Sequence, residues 1–273
     1  LNLNQPKSQE TSLVHVAKSV LGDVFSLSII AVTIVVGCVI LTRAAQPTPA
    51  PEGFDSYIDQ GNWYYDQQDY EAAIMAYSEA LRIDRLNVTA LNNRCVAYND
   101  LRQYEAAFED CNQATMLQPS MTQVLVNRAE ANEGLGRIQD AIRDYDRAIY
   151  MDEFHATAYN RRGLLLHEQG NLQKALADFT RVTELKPFNA EPFYNRGRLY
   201  QDMGNYSGAM RDYNRAITLD PSYAQAYNSR GTVYEQMGDM HHALLNYTWA
   251  TKLNGEYRAA RANLARVVAQ LGR

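Results

Sequence analysis

Cysteine is scarce in this sequence, three residues among 273, which excludes a disulfide framework or a zinc site. Positive charge is no more plentiful. Lys and Arg number 26 against 31 Asp and Glu, a formal net charge of -5, without the basic excess that a general nucleic-acid binder carries. No Gly-rich phosphate loop, nucleophile elbow or HExxH helix occurs, so the chain is read as non-enzymatic, with no cofactor. Histidine offers no metal site: His241 and His242 are adjacent and point apart on a helix, and His167 is far from both. What remains, 46% hydrophobic and 21% charged residues, suffices to bury a sizeable core.

Charge is missing altogether from residues 24–42, VFSLSIIAVTIVVGCVILT. As a helix this run spans roughly 28 Å, the hydrocarbon thickness of a bilayer, and it is expected to be a transmembrane helix. A cleaved signal peptide is the alternative, with a lipoprotein-like site at Val35-Val36-Gly37-Cys38 as its sharper form. The apolar run continues past Cys38, so a retained anchor is preferred. Lys7 and Lys18 before the span against Arg43 after it favour a single-pass protein with its N-terminus on the cytoplasmic side and the rest opposite. Residues 1–23 form an N-terminal segment. Residues 43–53, with PTPAP at Pro47–Pro51, read as an extended linker.

Beyond the linker a period of 34 residues dominates. Units begin at Phe54, Val88, Thr122, Ala156, Ala190 and Ala224, with a half-unit from Arg258. Position 20 is alanine in all six, from Ala73 to Ala243. Position 24 is Tyr77, Cys111, Tyr145, Phe179, Tyr213 and Tyr247, and position 8 is always small (Gly61, Cys95, Ala129, Gly163, Gly197, Gly231). Small residues at 8 and 20 let two antiparallel helices approach, and the ring at 24 fills the space between them. Glycine at position 15 (Gly136, Gly170, Gly204, Gly238) ends the first helix. Proline at position 32 (Pro119, Pro187, Pro221) stops the second.

This pattern resembles the tetratricopeptide repeat, and the resemblance covers Phe54 to the C-terminus. It implies an all-α, right-handed solenoid of six helical hairpins over 54–257. A capping helix over 258–273 would cover the apolar end.

Arginine recurs at position 7 (Arg94, Arg128, Arg162, Arg196, Arg230), opposite Asp110, Asp144, Asp178, Asp212 and Asn246 at position 23. The antiparallel hairpin should bring these positions together as internal bridges that fix helix register. Cys95 and Cys111 read as a locally repacked pair of thiols. A bridge pinning the two helices is the alternative in an oxidising compartment.

In the family the resemblance points to, positions 2, 5, 6, 9, 12 and 13 line a concave groove. Here they supply acids at Asp55, Asp59, Asp66, Asp100, Glu130, Glu133, Glu168, Glu191, Asp202 and Glu235, against Arg161 and Arg198. Such a groove attracts a basic or extended protein segment and repels nucleic acid. Asparagines at Asn93, Asn127 and Asn195, with Asn62 and Asn160 beside them, offer donor and acceptor together to a peptide backbone. The expected peptide-binding set is therefore Asn62, Asn93, Asn127, Asn160, Arg161, Asn195 and Arg198. A clamp for a heat-shock-protein tail is not expected, because its basic positions hold Ile58, Gln123 and Asn127. The function implied is a membrane-tethered scaffold or assembly factor. A structural subunit of a membrane complex, or a targeting receptor for precursor proteins, is the alternative.

Overall fold

Residues 56–272 are described by the computed structural model, together with two short strands, β1 (Val32–Val35) and β2 (Cys38–Leu41). These strands pair antiparallel, Val32 opposite Leu41 and Val35 opposite Cys38. That corrects the transmembrane helix expected over 24–42. Val32, Thr33, Ile34, Val39 and Ile40 are β-branched and favour extended backbone. Among the described residues no helix is long and apolar enough to cross a membrane. The single-pass placement built on that helix falls with it. The N-terminal segment 1–23 and the linker 43–53 lie outside the described residues.

The repeats form thirteen helices. Six hairpins pair α1 (Tyr57–Asp66) with α2 (Tyr70–Ile83), α3 (Val88–Asp100) with α4 (Tyr104–Leu117), and α5 (Thr122–Gly134) with α6 (Ile138–Met151). They continue with α7 (Ala156–Glu168) and α8 (Leu172–Leu185), α9 (Ala190–Asp202) and α10 (Tyr206–Leu219), and α11 (Ala224–Gln236) and α12 (Met240–Leu253). A last helix, α13 (Arg258–Leu271), packs Leu264 and Val267 onto Ala243 and Tyr247 of α12.

Each first helix ends where the repeat requires. Gly136, Gly170, Gly204 and Gly238 take φ of 70–83°, the left-handed region. The next N–H then turns back to a carbonyl of the last helical turn, as from Asn205 to Tyr200 at 2.8 Å. In the first two repeats Gln68 (φ 61°) and Arg102 (φ 58°) hold the same conformation without being glycine.

Within each hairpin the small residue at position 8 faces the ring at 24. A Cβ on Gly197 would come within 2.8 Å of the Tyr213 ring. In repeat two the corresponding pair is a disulfide, Cys95–Cys111, with Cα atoms 5.6 Å apart. The free-thiol reading is thus corrected, because facing positions on closely packed helices put two sulfurs in bonding range.

The bridges between positions 7 and 23 form. Arg94, Arg128, Arg162 and Arg196 each grip their aspartate with two nitrogens, as Arg196 does Asp212 at 2.7 and 2.9 Å. Arg230 reaches Asn246 through Nε at 2.8 Å. A further nitrogen of each arginine crosses to the preceding repeat's second helix, at Ser78, Asn112, Asp146, Thr183 and Asn214. Outside this seam Arg147, Arg181 and Arg215 donate to the carbonyls of Pro119, Glu153 and Pro187 in the loops of preceding repeats, at 3.1–3.3 Å. Successive hairpins are therefore joined by directional bonds as well as by apolar packing.

Candidate peptide-binding groove

First helices of neighbouring repeats touch one another directly, α1 with α3, α3 with α5 and α9 with α11. Positions 2, 5, 6, 9, 12 and 13 of these first helices make up the candidate groove.

On that surface the asparagines bond one another. Asn127 donates to Asn92 at 2.8 Å, Asn195 to Asn160 at 3.1 Å and Asn263 to Asn228 at 3.0 Å, each pair 35 residues apart. Asn93 donates to Asn62 at 2.9 Å, 31 residues away. Asn127 and Asn195 are only 3% and 7% exposed, and Gln123 caps the oxygen of Asn127 at 2.8 Å. The amide ladder thus joins one repeat to the next as the floor of the groove. Asn62 and Arg198 are exposed, and Asn93, Asn160 and Arg161 are half-buried above it.

Ring hydroxyls from position 24 reach up between the helices to the same floor. Tyr77 donates to Asn62 at 2.8 Å, Tyr213 to Gln201 at 2.9 Å, Tyr247 to Glu235 at 2.8 Å, and Tyr145 to Glu133. Burial pushes the Tyr77 hydroxyl up to about 12, with nearby Asp66 adding to the shift. Burial likewise pushes Tyr145 and Tyr213 upward. These phenols stay protonated donors at neutral pH.

The carboxylates sort by partner. Arg161 lies 3.2 Å from Glu130 and 3.6 Å from Glu133. Burial nevertheless raises both carboxyls above the ordinary range, outweighing the guanidinium. Asp100 accepts from Tyr65 at 2.5 Å, Asp202 contacts His167 at 2.7 Å, and Arg266 pairs with Glu235. Asp66, Asp100 and Glu168 have no cationic partner among the described residues. No group of three or more His, Cys, Asp or Glu among the described residues could hold a metal ion.

Two family models described as tetratricopeptide repeat match residues 126–190 and 224–257, and a third, described as TPR repeat, matches 61–101 and 197–238. The chain belongs to the tetratricopeptide-repeat family. In this family the fold is generally a non-catalytic protein-interaction surface. No curated protein matches the chain by sequence. Solved tetratricopeptide-repeat structures share its architecture. PilF of Pseudomonas aeruginosa is 17% identical with a TM-score of 0.67, covering 77% of this chain and 96% of that one. YrrB, described as a TPR protein with an unusual peptide-binding site, is 16% identical with a TM-score of 0.57 over 68% and 96%. The Cut9–Hcn1 hetero-tetramer of the APC/C is 16% identical with a TM-score of 0.66, covering 77% of this chain but only 42% of that one. At such identities the likeness is one of fold.

Three contributors to this tetratricopeptide groove were not expected from the sequence. The position-24 hydroxyls read there only as core rings, and Gln123 only as a failed clamp position. Tyr194, Tyr223 and Tyr257 also cluster at the repeat-five end, with Tyr194 and Tyr223 ring centroids 4.9 Å apart. An aromatic at position 5 or 34 beside Arg198 was the signal available.

Proposed function

We propose that the chain is a non-catalytic scaffold that holds an extended, basic segment of another protein along its inner groove. The observation that carries this reading is the set of carboxylates Asp66, Asp100 and Glu168, without a cationic partner among the described residues, beside side chains already locked by amide and phenol hydrogen bonds. Such a surface is preorganised, so a segment binding there loses its own freedom but does not have to order the receptor. Asn62, Asn93, Asn160, Arg161 and Arg198 form the accessible part of the site, with Asn127 and Asn195 beneath them. YrrB, described with a peptide-binding site, supports the same use of the fold.

The test is fluorescence anisotropy with a labelled lysine-rich peptide, comparing wild type with the triple variant Asp66→Asn, Asp100→Asn, Glu168→Gln. Affinity should fall about tenfold in the variant, and wild-type binding should weaken as salt is added. Binding indifferent to both changes would retire the groove.

A structural subunit of a larger complex is the second reading, favoured by one observation. Large apolar residues stand exposed at the ends of second helices and in the loops after them: Ile83, Met116, Tyr150 (90%), Phe154 and Phe188 (85%). A native partner still held by the triple variant would move the reading to that edge.

A further inference from the structure

Charge is unevenly spread along the groove. Of the groove carboxylates with no ion-pair partner among the described residues, Asp59, Asp66, Asp100 and Glu168 belong to repeats one to four and Glu191 to the start of α9. Toward the other end Glu235 is taken by Arg266, and Asp202 shares a hydrogen bond with His167. Arg198 of α9 is exposed there, with no carboxylate in ion-pair distance among the described residues. Its guanidinium lies 6.0 Å from the centroid of the Tyr194 ring, which in turn packs on Tyr223 and Tyr213.

The phenol hydroxyls near Arg198 are donors in want of an acceptor. The hydroxyls of Tyr194 and Tyr223 bond to nothing among the described residues. That of Tyr257 only accepts, from Asn228 at 3.4 Å. Glu191 and Asp220 act electrostatically on Tyr223, and Asp202 on Tyr213, but none of them bonds to these hydroxyls or to Arg198. Burial keeps Tyr223 and Tyr257 protonated. A guanidinium ringed by free phenol protons is the complement of a negatively charged acceptor.

We infer that Arg198 with Tyr194, Tyr223 and Tyr257 forms a carboxylate subsite, so that the groove takes a bipolar segment, basic over repeats one to four and carboxylate-bearing over repeat five. This rests on the groove reading above. Adjacent first helices stand roughly 9 Å apart, so three steps from Asp100 to Arg198 span about 27 Å, or about eight extended residues. The subsite therefore also sets the spacing between the segment's charges.

Three labelled peptides test it. The first carries lysines at one end and glutamines at the other, with both termini blocked. The second replaces one glutamine about eight residues from the lysines with glutamate. The third is the first with a free terminal carboxylate, separating a side-chain from a chain-end source. The second or third peptide should bind wild type about tenfold more tightly than the first. That advantage should vanish in Arg198→Gln and reverse in Arg198→Glu, substitutions at an exposed position that spare the fold. Equal binding of all three to wild type, or an advantage that survives Arg198→Gln, overturns the subsite and leaves the groove standing. Failure of all three to bind wild type overturns both.

Discussion

At the scale of the residue, the most informative positions are those where one repeat departs from the others. Position 15 is left-handed in all six hairpins, yet only four carry glycine. A side chain in that region costs about 1–2 kcal/mol. Gln68→Gly and Arg102→Gly should therefore each raise stability by about 1 kcal/mol after glycine's extra freedom in the unfolded chain is discounted. Denaturant melts would show it, and a fall in either midpoint would mean that those side chains make contacts outweighing the strain. The glycines at position 15 were legible in the sequence. The two non-glycine residues sharing their backbone were not, because nothing in Gln or Arg announces positive φ. Asn99 and Asn132 each keep a buried side-chain oxygen without a partner. In repeat two the position-24 hydroxyl that serves position 12 in repeats three, five and six is replaced by Cys111, which accounts for Asn99. Asn132 stands at position 11 where other repeats hold Tyr or Leu, beside a hollow of about 320 Å³ lined also by Phe108 and Arg137.

At the scale of the element, the arginine at position 7 belongs to two hairpins at once. Its bridge to position 23 was legible because antiparallel helices force those positions together. Its second bond, into the preceding repeat, was not, since it depends on how one hairpin leans on the next. Burial raises the Asp178 carboxyl more than Arg162 lowers it, so the bridge fixes alignment and adds little net stability. Removing one partner is another matter. Asp178→Ala should destabilise by about 3 kcal/mol, because Arg162 is left without its buried partner. Asn246→Asp, which gives Arg230 the carboxylate its counterparts have, should not destabilise. Thermal melts of the two variants decide this, and equal losses in both would refute the asymmetry. The same limit explains the asparagines. Their places at positions 5 and 6 were plain from the period, but the 35-residue offset that spends them on each other arises from the tilt between repeats. The apolar stretch before the repeats misled for a different reason: length and lack of charge fit a spanning helix, while its β-branched residues fit paired strands.

Across the whole molecule the solenoid is a row of similar interfaces with one covalent fastening, the Cys95–Cys111 disulfide of repeat two. A loop of that length adds about 3 kcal/mol by restricting the unfolded chain. Reduction should lower the melting temperature, and hydrogen exchange should quicken first in α3 and α4, since repeats couple mainly to their neighbours. Uniform quickening along all thirteen helices would show instead that the array melts as one unit.

Every side-chain hydrogen bond between described residues of the solenoid joins partners no more than 35 positions apart, as Asn127 to Asn92 or Asn195 to Asn160. During synthesis each hairpin thus waits only for the next hairpin to leave the ribosome before its bonds are complete. The solenoid can be built and locked from its N-terminal repeat onward, with no early repeat held open for a late one among the described residues.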